Sequence, residues 1–474
     1  MAKEKPVKKK KKDMTEEELA ERKINCRRRR RKVLRIILYI ILTWACVGAV
    51  VRYAGYRTNM AKVKSYPSAD IPKDVKFTNI ADGEWNIETD HGLKVMQLTD
   101  VHIAGGYMSA RKDAMALNAV AAMITEEKPD FVIVTGDLSY PVPFLAAGTV
   151  NNKTAGKLFA ELMETLGVNW TLCFGNHDTE AYSLFNREQM TEFYSSGKYP
   201  HCLMQRGPKY IDGYGNQVFN VVDSNGVIIR SLILFDSHSY ADGDIFGTSW
   251  KYDNIHDNQI KWYRDTITRL NKENLEKIAS LPEDKQKFYD DNRNFHPLRS
   301  SCFFHIPLEE YRDAWYEYSR NGFRDTENVK YNYGVAGEGA NIVYPGMKHD
   351  DLFETMKELG STDSVFVGHD HLNNFSLNYK GIDLNYGMSI DYLAYVTMGI
   401  DKLGTQRGCK MIWISEDGTL TSRNENYYQD KYKPFYKKEK VTMQKVKPTP
   451  APEKIAKGTG IGDIGTYISE TDGT

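Results

Sequence analysis

The stretch Ser-Val-Phe-Val-Gly-His-Asp-His (residues 364–371) decides how the rest of the chain is read. A short apolar run is stopped by glycine, and two imidazoles then stand on either side of a carboxylate. Such a run, bounded by a turn residue, predicts a strand buried on both faces. Histidines at its carboxyl end raise the question of whether metal-ligand residues also end other strands. They do: Asp100 and His102 follow VMQLT, Asp137 follows VIVTG, Asn176 follows LCFG and His305 follows SCFF, alongside His369 and His371 here.

The segments between the first of these runs, ARKDAMALNAVAAMITEEKPD, ending at Pro129, and KLFAELMETLGVN, carry apolar residues at helical spacing. The β-α-β-α-β alternation predicts a parallel sheet with crossover helices. In such sheets functional groups gather at the carboxyl ends of strands. Residues i and i+2 of a strand share a side, so Asp100 with His102, and His369 with His371, are each expected to point into one cavity. EWNIETDHGLKVMQLTD predicts a hairpin turning at Asp90-His91-Gly92, and QVFNVVDSNGVIIRSLILFDS one turning at Asn225-Gly226. NQIKWYRDTITRLNKEN predicts an amphipathic helix.

Four imidazoles, two carboxylates and an amide are too many ligands for one ion and suit two ions bridged by a shared carboxylate. Mixed nitrogen and oxygen donors favour Zn, Fe or Mn. Two such ions, about 3.5–4 Å apart, stabilise both the attacking and the leaving oxygen of an in-line displacement at phosphorus and generate hydroxide near neutral pH.

D-x-H (Asp100, His102), G-D (Gly136, Asp137), G-N-H-D (Gly175 to Asp178), FFHIP (His305) and G-H-x-H (Gly368 to His371) together resemble the calcineurin-like metallophosphoesterase superfamily over roughly residues 92–422. FFHIPLEEY and the D-x-H start are most similar to its purple-acid-phosphatase-related branch. The resemblance implies a four-layer α/β/β/α sandwich with two mixed sheets. It implies that Asp100, His102 and His371 bind a first metal, that Asn176, His305 and His369 bind a second, and that Asp137 bridges. His177 would give a proton to the leaving oxygen, with Asp178 orienting it. The implied activity is hydrolysis of a phosphate ester by a hydroxide held on the metals. Tyr140 stands where purple acid phosphatases carry a tyrosinate ligand, but those enzymes usually lack the histidine of the first motif. His102 is therefore expected to ligate and Tyr140 to pack beside it.

Charge is distributed unevenly although the chain is neutral, with 63 basic and 63 acidic residues. Residues 1–32 hold 15 basic against 6 acidic side chains, leaving 48 against 57 elsewhere. This basic block leads into 16 uncharged residues, Ile36 to Val51, or 19 from Val33 if Arg35 reaches the headgroups. We read a basic cytoplasmic leader (1–32), a transmembrane signal anchor (33–51), a polar stalk (52–78), the catalytic domain (79–423) outside the cytoplasm, and a flexible polar tail (424–474). A basic run beside an apolar one points to a membrane rather than to nucleic acid. Six cysteines without a C-x-x-C pair form no disulfide framework.

His238 follows an apolar strand as His305 does, but the resemblance places the ligand shortly before G-H-x-H, and a loop role is expected for His238. Arg407, in GTQRG, is expected to be structural rather than a phosphate clamp. The substrate class stays open among phosphomonoesters, nucleotides, phospholipid head groups and cell-envelope phosphodiesters. A scaffold that keeps the fold without catalysis is the rival reading, against which every motif position is filled.

Overall fold

The computed structural model describes residues 11–142, 148–241, 243–244, 246–338, 342–394 and 407–439. The first ten residues of the expected leader and the expected tail from residue 440 onward lie outside them. The chain divides into two units, Met1–Ala54 and Gly55–Thr474.

The first unit holds most of α1 (Glu16–Val63), a helix of 48 residues. Its central side chains, among them Ile37, Leu38, Ile41 and Trp44, are exposed. The helix is long and apolar enough to cross a membrane.

In chain order the second unit continues with β1 (Lys76–Ala81), β2 (Glu84–Glu88), β3 (Leu93–Leu98), α2 (Ala110–Glu127), β4 (Phe131–Thr135), α3 (Lys153–Leu166) and β5 (Asn169–Cys173). Next come α4 (Arg187–Tyr194), β6 (Gln217–Val222), β7 (Ile228–Leu234), α5 (Asp257–Ala279), α6 (Glu283–Asp290), β8 (Ser300–Phe303), α7 (Glu309–Arg320) and β9 (Val329–Tyr333). The unit ends with α8 (Leu352–Leu359), β10 (Thr362–Val367), β11 (Ser376–Tyr379), β12 (Ile382–Tyr386), β13 (Gly408–Ile414) and β14 (Leu420–Asn426).

Two mixed sheets result. One has five strands in the order β14-β13-β3-β4-β5, the other nine in the order β1-β2-β6-β7-β8-β10-β12-β11-β9. The β3-β4-β5 core is parallel, as the alternation predicts. Three apolar clusters define four layers. Val95, Phe131, Ile133, Phe219, Leu232 and Phe366 meet between the sheets. α2 and α3 cover the outer face of the smaller sheet, Val120 and Leu158 joining Trp170 of β5 in one cluster. α5, α7 and α8 cover the larger sheet through Tyr263, Trp315 and Phe353. Strands buried on both faces explain why these segments read as continuous apolar runs.

Three expectations are corrected. The hairpin at Asp90–Gly92 does not form: β2 joins the nine-stranded sheet beside β6, and β3 joins the five-stranded one beside β4. Ile87 and Val95 then face each other across the same inter-sheet core, which a hairpin within one sheet would not allow. The polar stalk expected over 52–78 folds onto the body from Gly55. Val63, Tyr66 and Ala69 recur every three residues and enter the cluster under α2 and α3, and Asn59 Nδ2 donates to Ala110 O at 2.9 Å. The flexible tail expected from residue 424 is ordered to Glu439, because Tyr427 and Tyr432 are buried in that same cluster. The β6–β7 hairpin forms, with a loop from Asp223 to Val227 that is longer than the two-residue turn.

Candidate metal centre

All seven expected ligand residues lie where the strands of both sheets end, and all are buried. Their backbone is not that of strands. Asp100 and His102 lie beyond β3 with φ of 49° and 52°, Asp137 beyond β4 with 52°, and His369 beyond β10 with 80°. Strand alternation therefore does not aim these pairs; loops held in the left-handed region do. That conformation costs a non-glycine residue on the order of 1–3 kcal/mol, a strain characteristic of functional sites. The glycines of the motifs make the approach possible. A Cβ on Gly175 would lie 2.1 Å from Asp137 Oδ1, and one on Gly368 would lie 1.9 Å from Thr99 Oγ1.

The side chains form two groups that share Asp137. In the first, ligand atoms of Asp100, His102, Asp137 and His371 all lie within 4.8 Å of one another. His371 Nε2 is 3.4 Å from Asp100 Oδ1, and His102 Nε2 is 3.5 Å from Asp137 Oδ2. In the second, His305 Nε2 lies 3.2 Å from Asp137 Oδ2 and 3.1 Å from Asn176 Oδ1, and His369 Nδ1 lies 3.0 Å from Asn176 Oδ1. His369 and His371 thus serve different groups. His305 donates Nδ1–H to Thr135 O at 2.8 Å, which leaves Nε2 as the inward atom.

These donors fit cations. Asp100 Oδ1 is buried and accepts no hydrogen bond. Burial favours the neutral acid at Asp137, but His305 and His177 outweigh it and hold its carboxyl well below the usual range. Conversely, burial lowers the His371 and His305 imidazoles, yet Asp100 raises His371 far above its ordinary value and Asp137 raises His305 to about 9. Burial and the neighbouring His305 push His369 well down. Imidazoles that must stay charged to balance buried carboxylates are sites where a metal ion replaces protons.

Two supporting carboxylates were not legible in the motifs. Asp391, beyond β12, is fully buried between His102 Nδ1 (3.2 Å to Oδ1) and His371 Nδ1 (3.4 Å to Oδ2). It lies beyond Gly387 to Ile390 rather than directly after an apolar run, so the strand-end rule does not single it out. Glu180 Oε1 lies 2.6 Å from His177 Nδ1, so Glu180 and not Asp178 orients that ring. Asp178 instead accepts backbone N–H groups of Asp137, Ser139 and Gly175, at 3.0, 2.8 and 2.8 Å, and ties two motif loops together. Burial and the Asp137 charge push its carboxyl up to about 6.

His177 is half-buried at the rim, edge-on to His102 with ring centroids 5.5 Å apart. Tyr140 stacks on His102 at 4.5 Å and 10°, and Tyr252 stands edge-on to His369 at 4.2 Å. Tyr240 Oη accepts from Asn176 Nδ2 at 3.1 Å and donates to Glu180 at 3.2 Å, linking the second group to the His177 support.

His238, in the loop after β7, belongs to a different cluster with Asp253 and His256. Its ring lies 4.0 Å from that of His256 and only 18° from parallel, so their in-plane lone pairs run side by side and do not converge on one ion. His256, held between Asp253 and Asp212 and raised to about 9, makes this an ion-pair network at the start of α5.

Among known proteins, the chain is 29% identical over 342 residues to a protein of Arabidopsis thaliana named probable inactive purple acid phosphatase 29, covering 68% of this chain and 76% of that one. It is 26% identical over 309 residues to phosphatase DCR2 of Saccharomyces cerevisiae, covering 61% and 46%. Among solved structures, a dimetal phosphatase from Danio rerio aligns over 72% of this chain and 98% of that one, with 12% identity and a TM-score of 0.43. The family model described as calcineurin-like phosphoesterase matches residues 93–384, more than half of the chain and the whole span from β3 to β12. With the sheet architecture and the two ligand groups around Asp137, that match establishes that the chain belongs to the calcineurin-like phosphoesterase family.

Proposed function

We propose that this chain is a membrane-anchored phosphoesterase using two metal ions. Asp100, His102 and His371 would hold one, Asn176, His305 and His369 the other, and Asp137 would stand between them. The observation that carries this reading is the sharing of Asp137 Oδ2, which lies 3.5 Å from His102 Nε2 and 3.2 Å from His305 Nε2. Ions bound there supply Lewis acidity toward a phosphoryl oxygen and lower the pKa of water toward neutrality.

The chain's own residues do the rest. His177 Nδ1 is engaged by Glu180, so Nε2 is the atom that meets substrate and carries the proton to the leaving oxygen. Glu180 fixes the ring. The rings of Tyr140, Tyr240 and Tyr252 wall the cavity and exclude water, which strengthens every electrostatic interaction inside it. The exposed apolar stretch of α1 would span the bilayer with the basic block on the cytoplasmic side, leaving the catalytic unit outside the cytoplasm.

A second reading is favoured by the printed names of relatives: three Arabidopsis thaliana proteins are each called probable inactive. On that reading the fold binds metals but does not turn over. Protein stripped of metal and reloaded with Mn, Fe or Zn, assayed on p-nitrophenyl phosphate and its bis ester beside His177→Ala, separates the two. Metal-dependent turnover lost in the variant supports the esterase, and the ester preference narrows the substrate among monoesters, nucleotides and lipid head groups. Two bound ions with no turnover of either ester would support the scaffold. No bound ion would refute the site.

A further inference from the structure

We propose that Arg407 and Glu439 are positioning residues for the first metal group, so that the segment after the last strand (residues 427–439) helps to set the metal affinity. The inference rests on the reading that Asp100, His102, Asp137 and His371 hold an ion. Asp391 faces both His102 and His371, and its loop is gripped from behind by Arg407. The Arg407 guanidinium is only 4% exposed, donates Nε–H to Asp391 O at 3.0 Å and lies 3.6 Å over the ring of the adjacent Tyr392.

Glu439 holds that guanidinium in place. Its Oε1 lies 3.4 Å from Arg407 Nη1 and accepts from Tyr392 Oη at 2.6 Å and Tyr428 Oη at 2.7 Å. Arg407 Nη1 also donates to Tyr428 Oη at 2.6 Å. One carboxylate oxygen therefore collects the residue beside Asp391 and the cation that binds the Asp391 carbonyl. Among the described residues Glu439 is the carboxylate paired with Arg407. On the metal side Asp391 N donates to Ser389 Oγ at 3.2 Å and Ser389 Oγ to Asp100 O at 3.4 Å. The Asp391 carboxylate accepts from Leu393 N at 2.6 Å and Ala394 N at 2.9 Å within the loop that Arg407 grips.

A buried guanidinium without its counter-charge is strongly destabilised. Removing Glu439 lets Arg407 turn toward water and frees the Asp391 carbonyl and Tyr392 together. The His102 and His371 rings then lose their fixed orientation, and misplaced metal ligands lose affinity. Asn176, His305 and His369 are held instead by Tyr240, Thr135 and Tyr252. The effect should therefore fall on one ion and spare the other.

The test titrates the full-length, metal-stripped chain with Mn2+ or Zn2+ by calorimetry, beside thermal melts of the metal-free protein. Wild type should bind two ions. Glu439→Ala should weaken one of them about tenfold, the scale of losing a support behind a metal ligand, and leave the other unchanged. Asp363→Ala is the matched control. It strips a carboxylate from another buried guanidinium, Arg230, paired at 2.7 Å but away from the centre, and should lower the melting temperature without changing either affinity. Tyr428→Phe, which removes one donor to Glu439 and is milder for folding, should weaken the same ion about threefold, a fraction of the support lost with Glu439. Unchanged affinities in Glu439→Ala or Tyr428→Phe, or an equal loss at both ions, would overturn the proposal. A wild-type chain that binds no ion would refute the metal-centre reading beneath it, a result distinct from failure of the clasp alone.

Discussion

Asp391→Asn exchanges one oxygen for an amide nitrogen at the point where the imidazoles of His102 and His371, the proposed metal ligands, meet. The carboxylate faces His102 Nδ1 from Oδ1 (3.2 Å) and His371 Nδ1 from Oδ2 (3.4 Å). This arrangement favours the proton on each Nδ1 and leaves each Nε2 on the other side of its ring. An asparagine has one acceptor. Backbone N–H groups of Leu393 and Ala394 point at Oδ1, at 2.6 and 2.9 Å, against a longer contact from Ala394 to Oδ2 at 3.1 Å, and will hold the amide oxygen at Oδ1. The new NH2 group then faces His371 Nδ1 and forces that ring into the opposite tautomer, with a proton on Nε2 and no lone pair for a metal. His102 keeps its support and His371 loses its function. Outer supports of this kind contribute about 10–100-fold in metal affinity, or about 1.4–2.8 kcal/mol. Calorimetric titration of metal-stripped protein should show that loss at one of two ions. His371→Ala added to Asp391→Asn should cost little more, because both changes remove the same ligand. Equal affinities in wild type and Asp391→Asn, or full additivity in the double variant, would refute the tautomer argument.

Four other outcomes are expected. Glu180→Gln should lower kcat by about tenfold or more, within the range general acids contribute, while both ions remain bound on titration. Gly175→Ala should abolish binding of both ions and lower the melting temperature, since its Cβ would sit 2.1 Å from Asp137 Oδ1 and 2.4 Å from Asp137 N. Tyr140→Phe should keep both ions and most activity, and the iron-loaded wild type should show no visible charge-transfer band, because Tyr140 stacks on His102 as a neutral ring whose hydroxyl burial pushes further up. Buried Glu310, raised by burial to about 7 from 4.5, binds its proton more tightly when folded. Its contribution to stability is therefore greatest below pH 4.5 and lost as pH rises to about 7. Glu310→Gln should thus stabilise the chain by about 1–3 kcal/mol at pH 8 and leave it unchanged near pH 4, as read from melting curves at the two pH values.

Much of this molecule was legible in one dimension. A strand buried on both faces must be continuously apolar, and a metal site draws on few residue types. Apolar runs ending in Asp, Asn or His therefore marked both the strands and the six side chains that the structure gathers around Asp137. The parallel β3-β4-β5 core followed from the helical spacing between those runs.

Tertiary structure alone decided the rest. An apolar strand advertises that it is buried but not against which partner, so the separation of β2 and β3 into different sheets had no local signal. The expected ligands Asp100, His102, Asp137 and His369 lie in left-handed backbone, a conformation that packing around them must impose against intrinsic preference. Glu180, Asp391, Arg407 and Glu439 are ordinary charged residues in sequence. What makes them supports is burial beside a particular imidazole or guanidinium, and burial is set by chain segments that meet only when both sheets have closed.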